Sequence, residues 1–185
     1  HQKSTAGLLG AARAAQGRSD LQARDAWLAQ ATGHFGRRHF VTEFARARLT
    51  LESGRVDEAI ELLENLYLKK RRHLGVLRSL LSAYQDSGRW RQVRELAPAL
   101  KKAGMIDAQK AEALMKLAGE RELTHCGDFE ALKETWRALP NAYRKDRGLV
   151  LAYAHRAEAL GHFEQAGRLL SELLDQGIDD DLLSA

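Results

Sequence analysis

The sequence predicts an all-α chain of repeated antiparallel helix pairs, and three observations carry that prediction. Ala, Leu, Glu, Lys and Arg dominate while β-branched residues are few and scattered, a composition that favours helix. There are only two prolines, Pro98 and Pro140. Glycines followed by runs with helical spacing recur at Gly17, Gly54, Gly88, Gly127 and Gly161, at intervals of 37, 34, 39 and 34 residues. The stretches "ESGRVDEAIELL" (52–63) and "DSGRWRQVRELA" (86–97) each contain an acid, Ser-Gly-Arg and a helical run, so one unit is written twice.

An interval of 34 is the tetratricopeptide period, and the other intervals miss it by a few residues that a turn or a longer helix absorbs. Five residues after each glycine the second helix packs closely and needs a small or apolar side chain, supplied by Ala59, Val93, Leu132 and Ala166. Nine and twelve residues after it come Leu63 and Leu66, Ala97 and Leu100, Trp136 and Leu139, Leu170 and Leu173, all on one helical face. Before Gly88, Leu77, Leu80, Leu81 and Tyr84 fit the first-helix pattern. Each glycine is expected to end its first helix in a left-handed turn.

Ten helices follow from this spacing, roughly 5–16, 20–33, 38–52, 56–70, 74–87, 90–103, 107–126, 128–139, 145–160 and 163–176. Helix 107–126 absorbs the long interval. Pro98 lies inside 90–103, where it removes one backbone bond and kinks the helix, and Pro140 falls just past a helix end. The tail "IDDDLLSA" reads as the capped start of an eleventh helix. No single pair can bury its apolar face alone, so about five pairs stack as a single domain over 1–185, truncated at both ends. The expected shape is a tetratricopeptide-repeat-like solenoid, a right-handed superhelix whose concave side is lined by the first helices.

Composition narrows the function. Hydrophobic residues make up 44% and charged residues 29%, which suits a folded chain rather than a disordered one. The net charge of +4 permits an acidic partner without pointing to nucleic acid, and an aromatic content of 6% is low for stacking single strands. A single cysteine, Cys126, excludes an internal disulfide framework and fits a reducing compartment. No apolar run approaches the ~18 residues of a membrane span, and no signal peptide is present. The opening "HQKSTAG" lacks methionine and reads as part of something longer, so the missing span describes this segment only.

Register picks out the candidate binding residues. Counting back from each glycine, the groove-facing columns hold Phe44 and Arg48, Arg78 and Ser82, Leu117 and Arg121, and Leu151 and His155. Arg48, Arg78, Arg121 and His155 form a basic stripe with apolar neighbours, suited to carboxylates because arginine grips them with two parallel bonds. In "LKKRRH" (68–73), Lys69, Lys70, Arg71 and Arg72 complement a helix dipole or contact an anionic lipid surface. His125 and Cys126 are adjacent and point about 100° apart on a helix, which suits a shared ligand set poorly. Gly161 ends the helix between His155 and His162, against a zinc site. Glu58, Glu61 and Glu64 belong to a solvated face. No nucleophile–base–orienter set stands out, so no catalytic or metal residue is assigned. Trp27, Trp90 and Trp136 are expected to pack between repeats.

The stretch "GLLGAARAAQGRSDLQARDAWLAQA" (7–31) resembles the start of the cytosolic portion of HemY-type bacterial proteins. The likeness continues through "RLTLESGRVDEAIELLENL", "VLRSLLSAYQDSGRWRQVRELAPALKKA" and "LKETWRALPNAYRKDRGLVLAYAHRAEALGHFEQAGRLL" and covers essentially the whole chain. Each motif alone is a tetratricopeptide variant; their order, the long interval and "ETWRALP" carry the resemblance. It implies an inner-membrane tetratricopeptide protein associated with haem (porphyrin) biosynthesis, with two membrane helices upstream and the repeats on the cytoplasmic face. Such proteins are thought to organise or regulate late haem-synthesis enzymes without catalysing a step. The flavin-dependent protoporphyrinogen oxidase that shares the name needs G-x-G-x-x-G after a strand, and this chain has neither.

The sequence reading is therefore a non-catalytic protein-interaction scaffold whose partners are haem-pathway enzymes, with no cofactor of its own. The alternative is a porphyrin- or haem-binding module with His155 or His125 as axial ligand. An enzyme is the least supported class.

Overall fold

The computed structural model describes residues 4–35 and 40–183. Among them lie ten α-helices, one short 3₁₀ turn and no strand. The helices are α1 (Thr5–Gly17), α2 (Leu21–Phe35), α3 (Phe40–Glu52), α4 (Val56–Lys69), α5 (Leu74–Asp86), α6 (Trp90–Lys102), α7 (Ala108–Thr124), α8 (Phe129–Ala138), α9 (Arg147–Ala159) and α10 (Phe163–Leu183). The 3₁₀ turn, Tyr143–Lys145, was not foreseen and follows Pro140. The tail does not begin an eleventh helix; α10 continues without a break to Leu183. Pro98 is exposed inside α6, where its missing N–H leaves the Arg94 carbonyl without a helical partner.

Two compact units make up the chain, one of residues 1–88 with 102–105 and one of 89–101 with 106–185. In the first unit α1 pairs with α2 and α3 with α4, and α5 lies against α3 and α4. Connections of three or four residues force α1 and α2, α3 and α4, and α4 and α5 to run antiparallel. Ala59, Ile60, Leu63 and Leu66 of α4 and Val76, Leu77, Leu80 and Tyr84 of α5 are buried, as their i, i+3, i+4 spacing requires. Tyr84 donates its hydroxyl to Glu64 Oε1 at 2.7 Å, tying α5 to α4. Trp27 and Leu9 pack on a cluster of Ala12, Leu28 and Leu49.

The second unit closes on Leu123, Cys126, Leu132, Leu139, Leu149, Tyr153, Ala157 and Ala166. Trp136 packs on Tyr153, with centroids 4.9 Å apart. The helix starts here are capped by aspartates: Asp107, Asp128 and Asp146 each accept backbone N–H bonds from the following turn. Arg156 of α9 donates through Nε to the Cys126 carbonyl at 2.8 Å, holding the turn between α7 and α8.

The hairpin corners differ from expectation in two places. Gly54, Gly88 and Gly161 adopt positive φ, at 79°, 69° and 83°, one residue past their helix caps. In the first hairpin, Gly17 is still helical and Ser19 takes the left-handed position, at φ 58°. In the fourth, Gly127 has no positive φ; the helix ends at Thr124, and Asp128 caps the next one directly. A further left-handed glycine, Gly104, follows α6.

Candidate functional site

The first helices of the first unit carry the face that the sequence assigns to a partner. Between α1 and α3 lies a depression of about 260 Å³ with Leu9, Gly10, Ala45 and Leu49 as its apolar base and Arg13, Arg48 and Glu52 at its edge. Arg48 reaches Glu52 at 3.6 Å one turn on, and both side chains are largely exposed. An exposed pair of that length is worth well under 1 kcal/mol, so Arg48 can exchange Glu52 for a partner's carboxylate at little cost. Arg78 and Ser82 are exposed on α5, and Ser82 donates to Asp86 Oδ2 at 3.1 Å.

Arg13 and Leu9 are absent from the sequence-derived columns, which assign no pair to the first hairpin. The observed left-handed corner is Ser19, two residues after Gly17. Counting back ten and six residues from Ser19 lands on Leu9 and Arg13, matching the offsets of Phe44 and Arg48 from Gly54. The signal was present as the "GRSD" corner, in which a serine stands where the second, third and fifth hairpins have glycine.

Phe44 is committed to packing. Its ring meets His73 with centroids 5.3 Å apart, and a Cβ on Gly75 would sit 2.9 Å from its Cζ. Gly75 thus lets the start of α5 approach the Phe44 ring of α3 closely.

The second unit shifts the register as well. Its α7–α8 corner falls at Cys126, so the columns hold Lys116 and Glu120 where counting from Gly127 puts Leu117 and Arg121. Lys116 pairs with Asp146 at 2.9 Å, and a Cβ on Gly148 would meet Glu120 Oε1 at 2.5 Å, so both columns face the start of α9. Leu117 and Arg121 are exposed one step around the helix, with the Arg121 guanidinium 6.0 Å from the Trp90 ring centroid. Trp90 therefore lies under a cation, whereas Trp27 and Trp136 pack in cores as expected. Leu151 is half-buried, and His155 is exposed with Nδ1 4.0 Å from Glu158.

The basic run at the end of α4 is engaged with its own neighbours. Lys69 pairs with Glu43 at 2.7 Å, Lys70 Nζ lies 4.5 Å over the Phe40 ring, and Arg71 sits 4.9 Å over Tyr67. Arg72 is exposed.

His125 and Cys126 turn apart. His125 Nδ1 lies 2.7 Å from the Arg121 carbonyl on the surface. Cys126 is buried, its thiol donating to the Glu122 carbonyl at 3.3 Å, and burial pushes its pKa up. Among the described residues no three His, Cys, Asp or Glu side chains come together as a metal-binding group, and no helix is long and apolar enough to cross a membrane.

Short-cornered helix hairpins packed face to face make this an all-α, tetratricopeptide-like helical-repeat protein. It matches no family model and no curated protein. Two solved structures are similar in outline: the nearly identical TPR-like repeats of a candidate kinesin light chain from Podosopora anserina and a point variant of it. The first is 19% identical over 95% of each chain with a TM-score of 0.46. The second is 18% identical over 97% of this chain and 96% of the other, with a TM-score of 0.44.

Proposed function

We propose that the chain is a non-catalytic protein-interaction scaffold that receives an acidic segment of a partner on the first-helix face of its first unit. The observation that carries this reading is the depression between α1 and α3, where Arg13 and Arg48 flank an apolar base and Arg48 is held only by a long, exposed pair. An apolar floor with arginines at its rim suits a peptide that alternates apolar and acidic residues. Helical-repeat folds of this kind generally serve protein–protein contact.

A finer reading rests on the quoted stretches that resemble HemY-type proteins. On that reading the chain is the cytoplasmic part of a membrane-anchored protein that organises or regulates haem-biosynthesis enzymes. Its test is crosslinked capture from cells, comparing the parent with a variant carrying Arg13→Glu, Arg48→Glu and Arg78→Glu. Loss of the captured partner in the charge-reversed form supports the binding face, and recovery of haem-pathway enzymes supports the finer reading. Capture that survives triple reversal refutes the face.

A further inference from the structure

The charges of the first unit are divided between its two ends. Asp20, Glu52, Asp57, Glu58 and Asp86 flank the left-handed corners at Ser19, Gly54 and Gly88. The opposite end holds the first turn of α3, the last turn of α4 and the first turn of α5, which the antiparallel pairing brings together. From Asn65 to Gln85 the chain carries five cations and no acid, and from Ala26 to Thr42 it carries no acid either. Residues 1–3 and 36–39 lie outside the described residues; neither stretch contains an acid, so neither reverses the sign.

Contacts hold the cations at this end and leave most of their charge intact. Glu43 is the one acid within these three turns, and it pairs with Lys69 at 2.7 Å. Lys70 Nζ lies 4.5 Å from the Phe40 ring centroid and the Arg71 guanidinium 4.9 Å from that of Tyr67, contacts that fix a cation without neutralising it. Phe40 meets the His73 ring with centroids 4.7 Å apart, so the start of α3 touches the corner before α5. Arg72 is exposed. Apolar side chains stand among these cations. Val41, Leu68 and Leu74 are 52%, 61% and 49% exposed. Among the described residues the first unit exposes one other large apolar side chain, Leu21, which begins α2 at the opposite end. Single exposed leucines are ordinary; three apolar side chains beside a surplus of cations have the composition of a membrane-surface contact.

We propose that this end of the first unit docks on an anionic lipid bilayer surface. Lys70, Arg71 and Arg72 meet the charged headgroups, and Val41, Leu68 and Leu74 enter the boundary between headgroups and acyl chains. Nucleic acid is the less favoured polyanion. It offers nothing to three aliphatic side chains, and the rings at hand to stack on bases, Phe40 and Tyr67, already carry Lys70 and Arg71 on one face. The surface uses none of the residues of the depression between α1 and α3, whose Arg48 and Glu52 lie toward the far end of α3.

The test is co-sedimentation of the whole chain with vesicles of phosphatidylcholine containing about 30% phosphatidylserine, and with vesicles of phosphatidylcholine alone. Binding is expected to the anionic vesicles only, and to weaken about tenfold or more between about 50 and 500 mM salt. Arg71→Gln with Arg72→Gln is expected to weaken it about twentyfold, near fivefold per cation, while Arg71→Lys with Arg72→Lys keeps it within about twofold. Leu68→Ser with Leu74→Ser is expected to weaken it about tenfold. All four positions are exposed, and thermal melts check each fold. Equal binding to the two kinds of vesicle, no binding to anionic vesicles at millimolar lipid, or no loss in either the glutamine or the serine pair would each overturn the proposal. Loss confined to one pair would also overturn it; loss confined to the glutamine pair, with tighter binding to duplex DNA, would identify a nucleic-acid contact instead. None of these variants alters Arg13 or Arg48, so the outcome is independent of partner capture at the depression.

Discussion

Arg94 of α6 and Glu122 of α7 form a 3.0 Å ion pair whose side chains are 13% and 14% exposed. Breaking such a pair strands the surviving charge in a poorly solvated site. Arg94→Ala or Glu122→Ala is expected to destabilise the fold by about 2–3 kcal/mol, somewhat less than for a fully buried pair. The double replacement Arg94→Leu with Glu122→Leu should recover most of that loss. Urea denaturation of the three variants checks it, and single losses no larger than the double would refute the coupling.

The left-handed corners separate glycines that look alike in sequence. Gly54→Ala forces a Cβ into φ 79° and is expected to cost about 1–2 kcal/mol. Gly17 is helical with no heavy atom within 4 Å of a Cβ, so Gly17→Ala should stabilise by about 0.5–1 kcal/mol. Opposite shifts in melting temperature are the readout.

The Cys126 thiol is buried and its pKa is raised, first by burial. Reaction with iodoacetamide at pH 8 is expected to be about tenfold or more slower than for a free thiol, because only the exposed thiolate reacts. Unfolding in urea should restore the ordinary rate. A fast reaction in the folded protein would show that the turn between α7 and α8 opens readily.

Asp146 caps α9 and pairs with Lys116. Burial pulls its pKa upward, but the Lys116 ammonium and the Leu149 and Gly148 N–H groups outweigh that and hold it below the ordinary aspartate value. A carboxylate depressed on folding contributes stability above the unfolded-state pKa near 4 and loses it as pH falls through the lower folded value. Stability should therefore fall more steeply with acid below about pH 4 in the parent than in Asp146→Asn, which keeps a cap but cannot titrate. Parallel melting curves between pH 5 and 2.5 for the two proteins would refute this.

Period and apolar spacing made the helix count and core legible, because both depend on local repetition. The four residues placed five positions after the glycines, Ala59, Val93, Leu132 and Ala166, are all buried. The corners were less legible. A serine at 19 adopts the conformation that a glycine usually supplies, and the fourth corner dispenses with it because Asp128 caps the next helix at once. Each such change slides the register by one or two residues. That moved Leu9 and Arg13 into the depression unseen and turned Arg121 toward Trp90. A cavity of about 900 Å³ among α2, α3 and α4 was invisible in sequence, since it depends on three helices meeting.

The Phe44 ring seated over Gly75 acts as an index pin between α3 and α5. The recess that receives it is one missing methyl wide, and the neighbouring positions on α5 carry Leu74 and Val76. Sliding one helix past the other would eject the ring onto a side chain with no space for it. The ring therefore fixes the register of α3 against α5.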